Sequence, residues 1–435
     1  MPYTLGIYTL GCKVNQYESE AIAEYAEKVG FIPSEPSDIC DVYIVNTCTV
    51  TAESDRKSRQ FIRRALAANP DAIIIVTGCF SQVAPERVAE IKGVDFICGS
   101  RNKLETVDAA LILIGKEKPE KPIISLPTLD TKEFESMQIS RFPRTRAYIK
   151  IEDGCESHCT YCIIPKARGK ICSKEPNAVL SEIYRLADAG CKEVVLTGIE
   201  TASYGIDLDN YRLGDLLYDA DKIAAGRMRI RLGSLDPSLI KPRFVDKISN
   251  LTSIAPHFHL SMQSGCDKIL ALMKRKYNTK MALDGISLLK SAFSDLQLTT
   301  DIITAFPGEN DADFEETVNF CKKVGFLNAH IFTYSKREGT PAEKMPEQVR
   351  PDIAHDRTSR LISVQKDITN EILRSQIGKT VDVLFETDGD GYSVGHTPSF
   401  IETKVITEKK LQSCTERVII EGVADGIAIG KLVQR

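Results

Sequence analysis

Three features of the sequence predict an α/β protein built in three parts. Short apolar runs alternate with helical patterns over roughly the first 115 residues, and such alternation specifies a parallel sheet covered by helices. A second alternating series, six βα-type units in about 190 residues, follows. Six units suit an open, partial (βα)6 barrel better than a closed eight-stranded one. From residue 380 onward the pattern turns to short β runs punctuated by glycine. A tail of that kind suits a small β-barrel of the oligonucleotide-binding sort. At 435 residues the chain is too long for one ordinary core. The predicted domains are 1–133, 134–370 and 371–435.

In the first part, strands are expected over residues 6–9, 42–46, 72–76 and 96–98, with helices over 15–29, 52–68 and 85–91. Residues 115–146 break the rhythm. Pro119, Pro122, Pro127 and Pro143 among mixed charges read as a linker. In the second part, strands are expected over 147–151, 193–197, 228–232, 258–262, 299–303 and 330–333. The clearest helix covers 177–189: Val179, Leu180, Ile183, Leu186 and Ala187 share a face, and Gly190 stops it. Residues 351–377 read as one long helix, and 381–385, 417–420 and 427–433 as strands of the terminal barrel.

Composition narrows the class. The chain is 43% hydrophobic and 27% charged, which excludes wholesale disorder. Its net charge of −4, from 56 basic and 60 acidic side chains, argues against coating nucleic acid by bulk positive charge. No run approaches the ~18 apolar residues of a membrane span, and the opening residues lack the pattern of a secretory signal. A cytoplasmic location without membrane association is the expectation. There, clustered thiols signal metal or redox chemistry more often than disulfides. The 13 cysteines, an odd number, cannot all pair within the chain.

The sharpest motif is Cys155-x3-Cys159-x2-Cys162, in a loop after the first strand of the second series. Thiolates are the usual ligands of iron–sulfur clusters. Three of them on a four-iron cubane leave one iron open to a substrate-like ligand. The alternative is a zinc knuckle, which needs a fourth ligand; His158 and Cys172 are the local candidates. A second set is spread out: Cys12, Cys48 and Cys79 each lie just beyond one of the first three strands. In a parallel sheet those positions share the ligand-binding edge. The alternative is three independent buried cysteines. Core packing is expected for Cys40, Cys98, Cys191, Cys321 and Cys414, and favoured for Cys172 and Cys266.

The CxxxCxxC motif, with Tyr161 before its third cysteine, resembles the signature of the radical S-adenosylmethionine (SAM) enzymes. In that family the open iron binds SAM, and an electron from the cluster cleaves it to methionine and a 5′-deoxyadenosyl radical. Both cysteine sets and the three-part plan together resemble the methylthiotransferases over essentially the whole chain. That resemblance implies a second 4Fe–4S cluster on Cys12, Cys48 and Cys79, and a C-terminal TRAM barrel that helps bind RNA. It also implies that SAM serves both as methyl donor and as radical source. The logic is physical: an sp² C–H bond is not acidic enough for a general base, so a radical is needed. Both clusters must then face one dry cavity, with the loop edge of the α/β sheet over the barrel mouth.

Within the family, Thr9-Leu-Gly-Cys12-Lys13-Val-Asn15-Gln16 resembles the branch that converts N6-threonylcarbamoyladenosine beside the tRNA anticodon to its 2-methylthio derivative. Leu196-Thr-Gly198, Gln263-Ser-Gly265, Thr300-Asp301 and Tyr334-Ser-Lys336-Arg337 are similar to the same branch. Ala305-Phe-Pro-Gly-Glu-Asn310 and Gln263-Ser-Gly-Cys266 depart from its pattern. The alternatives are methylthiolation of isopentenyladenosine in tRNA or of a ribosomal-protein aspartate. In another class stands a non-catalytic RNA-binding iron–sulfur protein. The resemblance implies a SAM pocket lined by Tyr161, Thr197, Gly198, Ser234, Gln263 and Asp301, polar or small residues expected at or beyond strand ends. No catalytic residue is assigned beyond the cluster ligands. An electron donor such as flavodoxin or ferredoxin and a sulfur source are the implied partners.

The tail from residue 378 holds 7 basic and 9 acidic side chains, so charge alone does not mark it as an RNA binder. Tyr392 and Phe400 are its candidate stacking platforms. Local basic runs around the cluster loop are the better expectation. Arg144, Arg146, Lys166, Arg168, Lys274, Arg275 and Lys276 are the residues expected to grip phosphates of an anticodon stem-loop, with Lys150, Lys174, Arg229 and Arg231 in neighbouring runs.

Overall fold

Residues 3–49 and 52–433 are described by the computed structural model. The first unit is a six-stranded, wholly parallel sheet of β1 (Thr4–Thr9), β2 (Ile32–Ser34), β3 (Val42–Thr47), β4 (Ile73–Gly78), β5 (Phe96–Cys98) and β6 (Ile123–Ser125), in the order β2-β1-β3-β4-β5-β6. Every residue of β3 and β4 is buried, as expected of central strands covered by helices on both faces. The three-residue strands β2 and β6 were not expected, being too short to show a period. The helix expected over 85–91 is present as Pro85–Ala89, and a further short one, Cys79–Val83, was not expected.

The proline-rich stretch is no free linker. It supplies β6 and is then strapped to the helix Lys13–Lys28. The Glu24 carboxylate accepts the N–H groups of Ser140 (2.8 Å) and Arg141 (2.9 Å), and the Tyr17 hydroxyl donates to Met137 O (2.7 Å).

The second unit contains β7 (Arg146–Asp153), β8 (Cys172–Ser173), β9 (Glu193–Gly198), β10 (Arg229–Leu232), β11 (Ser234–Leu235), β12 (His257–Gln263), β13 (Gln297–Thr304) and β14 (Asn328–Thr333). They form two sheets, β10-β9-β7-β8 and β11-β12-β13-β14. The third barrel strand breaks at Gly233, so that β10 pairs with β9 and β11 with β12. All barrel neighbours run parallel; only β8 is antiparallel. Strand alternation puts Ala147, Ile149, Val194, Leu196, Ile230, Phe258 and Leu260 in the core beneath the helices. The opposite face carries Arg146, Glu193, Arg229, Arg231, His257, His259, Thr299 and Asp301. A closed barrel fills its interior with branched apolar side chains, whereas this lumen is polar.

The helix Pro351–Arg374 leads to β15 (Thr380–Asp388), β16 (Tyr392–His396), β17 (Glu402–Ile406), β18 (Thr415–Ala424) and β19 (Ile427–Leu432), closed in the order β15-β16-β17-β19-β18. Closure removes exposed sheet edges, and Val383, Phe385, Val405, Val418 and Ile420 fill the inside. This barrel docks on the second unit. Phe400 stacks on His257 (4.5 Å) and His396 (4.6 Å), under the guanidinium groups of Arg231 and Arg146. Phe400 is therefore a docking residue and not a free stacking platform. Cys414, expected in the core, is exposed. Among the described residues no helix is long and apolar enough to cross a membrane.

Candidate active site at the junction of sheet and barrel

The strands β1, β3 and β4 lie side by side and parallel, so their C-terminal loops open on one edge. Cys12 follows β1 and opens the helix Lys13–Lys28, Cys48 follows β3, and Cys79 follows β4. Close approach of the loops explains two glycines. A Cβ on Gly11 (φ +107°) would lie 2.9 Å from the Cys48 sulfur, and one on Gly78 (φ +113°) 2.2 Å from Thr47 O. Asn15 ties the loops together, donating to Leu10 O (2.7 Å) and Thr47 O (2.9 Å). Cys48 and Cys79 are buried; Cys12 is exposed, yet densely flanked. That enclosure pushes its thiol up, against the lowering effect of Arg168. The three thiols thus belong to one edge of the sheet, although among the described residues no three His, Cys, Asp or Glu side chains are gathered closely enough to hold one metal ion.

The second set sits in the loop after β7. The Cys155 sulfur lies 3.0 Å from Glu200 Oε2, which also accepts from the Ser157 hydroxyl (3.1 Å). The Cys159 sulfur accepts from Arg275 Nη1 at 3.1 Å. Burial, aided by the Glu200 carboxylate, pushes the Cys155 thiol up; burial pushes Cys162 up to about 11. Thiols of that kind lose their protons on binding a metal centre. Of the two candidates for a fourth zinc ligand, His158 is exposed and Cys172 is buried in β8 opposite Asp153.

One side chain joins the two sets. Arg168, wholly buried, donates through Nε to the Cys79 sulfur (3.1 Å) and through Nη1 to Glu18 (2.5 Å) and Asp153 (3.2 Å), and Nη2 reaches Asn15 Oδ1 (2.8 Å). Asp153 stands two residues before Cys155. Glu18 also pairs with Lys150 (2.8 Å) and Lys103 (3.1 Å), all three side chains being nearly or wholly buried. Burial alone would raise the Glu18 carboxyl, but Arg168, Lys103 and Lys150 hold it well below the usual range. The sheet's loop edge is thereby clamped over the barrel rim.

Three of the expected phosphate grips are corrected. Arg168 belongs to this interior network. Arg275, its side chain 9% exposed, is spent on Cys159, Asp236 (2.7 Å) and Ser261 O (3.1 Å). Arg146 is tied to Glu193 (2.9 Å) and Glu386. Lys150, Lys174 and Arg231 are buried as well. A basic run in sequence looks the same whether its charges meet water or buried carboxylates, and the carboxylates that hold Arg146, Arg168 and Arg275 include Glu193, Glu18 and Asp236, all distant in the chain. Arg144, Lys166, Lys274 and Lys276 remain exposed. Lys166 lines a cleft of about 550 Å³ with Cys48, Lys336 and Arg337.

Of the expected SAM residues, Thr197 and Gly198 end β9 and Gln263 ends β12 with φ +65°. Tyr161 packs edge-on to Phe306 at 6.4 Å. Ser234 is exposed on β11. Asp301 departs from expectation: it lies three residues short of the end of β13, because the strand runs on to Thr304, and accepts from His259 Nε2 (3.0 Å). Sequence reasoning missed Glu200 and the roles of Arg168 and Arg275 as partners of the cysteines. Glu200, two residues past Leu196-Thr-Gly198, was the one carrying a signal, its place beyond a strand end.

Comparisons with known proteins agree with this geometry. The uncharacterized protein family UPF0004 matches residues 4–99, and the Radical SAM superfamily matches residues 149–321. The threonylcarbamoyladenosine tRNA methylthiotransferase MtaB of Bacillus subtilis is 36% identical, covering 99% of this chain and 93% of its own. The tRNA-2-methylthio-N(6)-dimethylallyladenosine synthase of Desulfitobacterium hafniense is 36% identical over 86% of this chain and 85% of its own. Among solved structures, the radical S-adenosylmethionine methyltransferase TsrM of Kitasatospora setae shares the fold, with a TM-score of 0.59 at 14% identity over 79% of this chain and 77% of its own. The chain belongs to the radical SAM methylthiotransferases of the MtaB type.

Proposed function

We propose that this enzyme converts N6-threonylcarbamoyladenosine next to the anticodon of tRNA to its 2-methylthio derivative. The observation that supports the reading is the buried Arg168, which reaches from Cys79 of the first set to Asp153, two residues before Cys155 of the second. The relatives named for this reaction support the choice of substrate. SAM and two 4Fe–4S clusters suit the chemistry of the residues: each set offers three free thiols, and Gly11 leaves room beside Cys48 where a side chain would intrude. When bound, they would supply the electron, the radical and the methyl group, with an open iron to carry the incoming sulfur.

In this reading Cys155, Cys159 and Cys162 hold the cluster that meets SAM, and Cys12, Cys48 and Cys79 the auxiliary one. Arg275 and Arg168 each give one N–H to a thiolate, Cys159 and Cys79. A charge-assisted donor of this kind stabilises negative charge on the sulfur. Thr197, Gly198, Ser234, Gln263 and Tyr161 shape the SAM site at the strand ends. The Glu18 clamp keeps the sheet edge on the barrel rim and excludes water from the space between them. Arg144, Lys166, Lys274 and Lys276 contact RNA phosphates, with Lys336 and Arg337 along the cleft by Cys48. An adenosine in a loop is already unpaired, so presenting it costs less than flipping one from a duplex. The enzyme works in the cytoplasm, with a flavodoxin- or ferredoxin-type electron donor and a separate source of sulfur.

The test is mass analysis of tRNA nucleosides from cells lacking the protein. The 2-methylthio form of threonylcarbamoyladenosine is expected to vanish while its precursor accumulates. Loss of the methylthio group from isopentenyladenosine alone would move the enzyme to the other tRNA branch.

A further inference from the structure

The polar lumen of the barrel holds a second feature that the cluster chemistry does not use. Glu193, wholly buried at the start of β9, is shared by three guanidinium groups. Arg231 reaches it at 2.8 and 2.9 Å, Arg146 at 2.9 Å and Arg229 at 3.0 Å. Burial would raise its carboxyl, but Arg231, Arg146 and Arg229 outweigh that and hold it low. One carboxylate cannot satisfy so many donors. Arg229 Nη2 and Arg231 Nη1 are buried with no hydrogen-bond partner, and so is Nδ1 of His257 on the adjoining strand. Buried polar groups are nearly always paired, so a group of orphans on one wall calls for an explanation.

Lys13, the residue after Cys12, faces the same wall. It has access to solvent but is densely surrounded by protein. Arg231, Arg146, Asp301 and Glu193 all lie within electrostatic reach of its ammonium. Among the described residues no ion pair or hydrogen bond engages its ammonium. Of the other carboxylates nearby, Asp301 is engaged by His259 (3.0 Å) and Glu386 by His396 (2.6 Å) and Arg146, while Asp382, exposed on β15, acts on Arg229 from outside the lumen wall. The unspent donors therefore come from Lys13, Arg229 and Arg231, beside the auxiliary cysteine Cys12.

We propose that this part of the lumen binds the carboxylate of an anionic N6 substituent on the target adenosine, with Lys13, Arg229 and Arg231 supplying the donors. The proposal rests on the substrate reading above and deepens it. The threonylcarbamoyl group ends in a carboxylate, whereas a dimethylallyl group has nothing to offer these donors. A site built around orphan charged donors discriminates against a neutral analogue because the analogue leaves those donors unpaired.

The experiment uses the reconstituted full-length enzyme and two synthetic anticodon stem-loops. One bears N6-threonylcarbamoyladenosine; the other is identical except that the carboxylate is a carboxamide. Dissociation constants are read by fluorescence anisotropy. The wild-type enzyme is expected to prefer the carboxylate form roughly tenfold, the worth of a hydrogen bond to a charged group. Lys13→Gln should reduce that preference several-fold, and Lys13→Arg should restore it. Equal binding of both stem-loops by the wild type, or an unchanged preference in Lys13→Gln, overturns the proposal. So does an equal loss of affinity for both stem-loops, which puts Lys13 on a phosphate, or a loss of SAM affinity, which puts it on SAM. The substrate reading stands or falls separately, on whether the wild type methylthiolates the threonylcarbamoyl stem-loop at all.

Discussion

Replacing Cys155, Cys159 and Cys162 together by alanine is expected to lower the iron content from about eight to about four per chain and to abolish SAM cleavage. The two cysteine sets are separate in the fold: one belongs to the loop after β7, the other to the ends of β1, β3 and β4. Removing the first set leaves Gly11, Asn15 and Gly78 holding the second. The reciprocal triple variant of Cys12, Cys48 and Cys79 should also keep about four irons. It should still form 5′-deoxyadenosine but no methylthiolated product. Iron analysis and product chromatography read both variants. Near-zero iron in the Cys155 set variant would remove the case for an independent auxiliary site.

The second large effect concerns the clamp. Glu18→Gln keeps the shape of the side chain but withdraws the charge shared by Arg168, Lys150 and Lys103. Leaving buried charges without their partner costs about 3–5 kcal/mol, and the urea midpoint should fall accordingly at neutral pH. The sign with pH follows from the depressed Glu18 carboxyl. Its contribution is fully present above the ordinary glutamate pKa, about 4.3, and is lost as the pH falls through the lower folded value. Wild-type stability should therefore drop on acidification from about pH 4.3 downward. Glu18→Gln should show a shallower drop, having lost that contribution already. A variant with an unchanged midpoint would mean that the clamp does not hold the junction.

Much of this architecture was legible because the signals are local. Strand-then-helix alternation marked the parallel sheets, and the positions of Cys12, Cys48 and Cys79 just past strand ends placed them on one edge. The spacing Cys155-x3-Cys159-x2-Cys162 needed no tertiary information. What stayed hidden depends on partners remote in the chain. Arg168 reads as one more base in Lys166-Ala-Arg168-Gly-Lys170, yet its partners Glu18 and Cys79 come from helices of the first unit. Arg229 and Arg231, alternating on one strand, could equally line a solvated face. Only the register of β9 beside β10 brings Glu193 between them. Strands β2 and β6 escaped because three residues carry no period, and Phe400 because an aromatic ring docked between domains looks in sequence like one offered to a base.

Two cysteine sets at one junction equip this enzyme to methylthiolate a modified adenosine in RNA. The most direct measurement is an anaerobic incubation of the reconstituted enzyme with SAM, a reductant, a sulfide source and an anticodon stem-loop carrying N6-threonylcarbamoyladenosine, followed by nucleoside mass spectrometry. The expected product is the 2-methylthio nucleoside, formed together with 5′-deoxyadenosine and S-adenosylhomocysteine. SAM cleavage with an unchanged stem-loop, while a dimethylallyladenosine stem-loop is converted under the same conditions, would contradict that expectation.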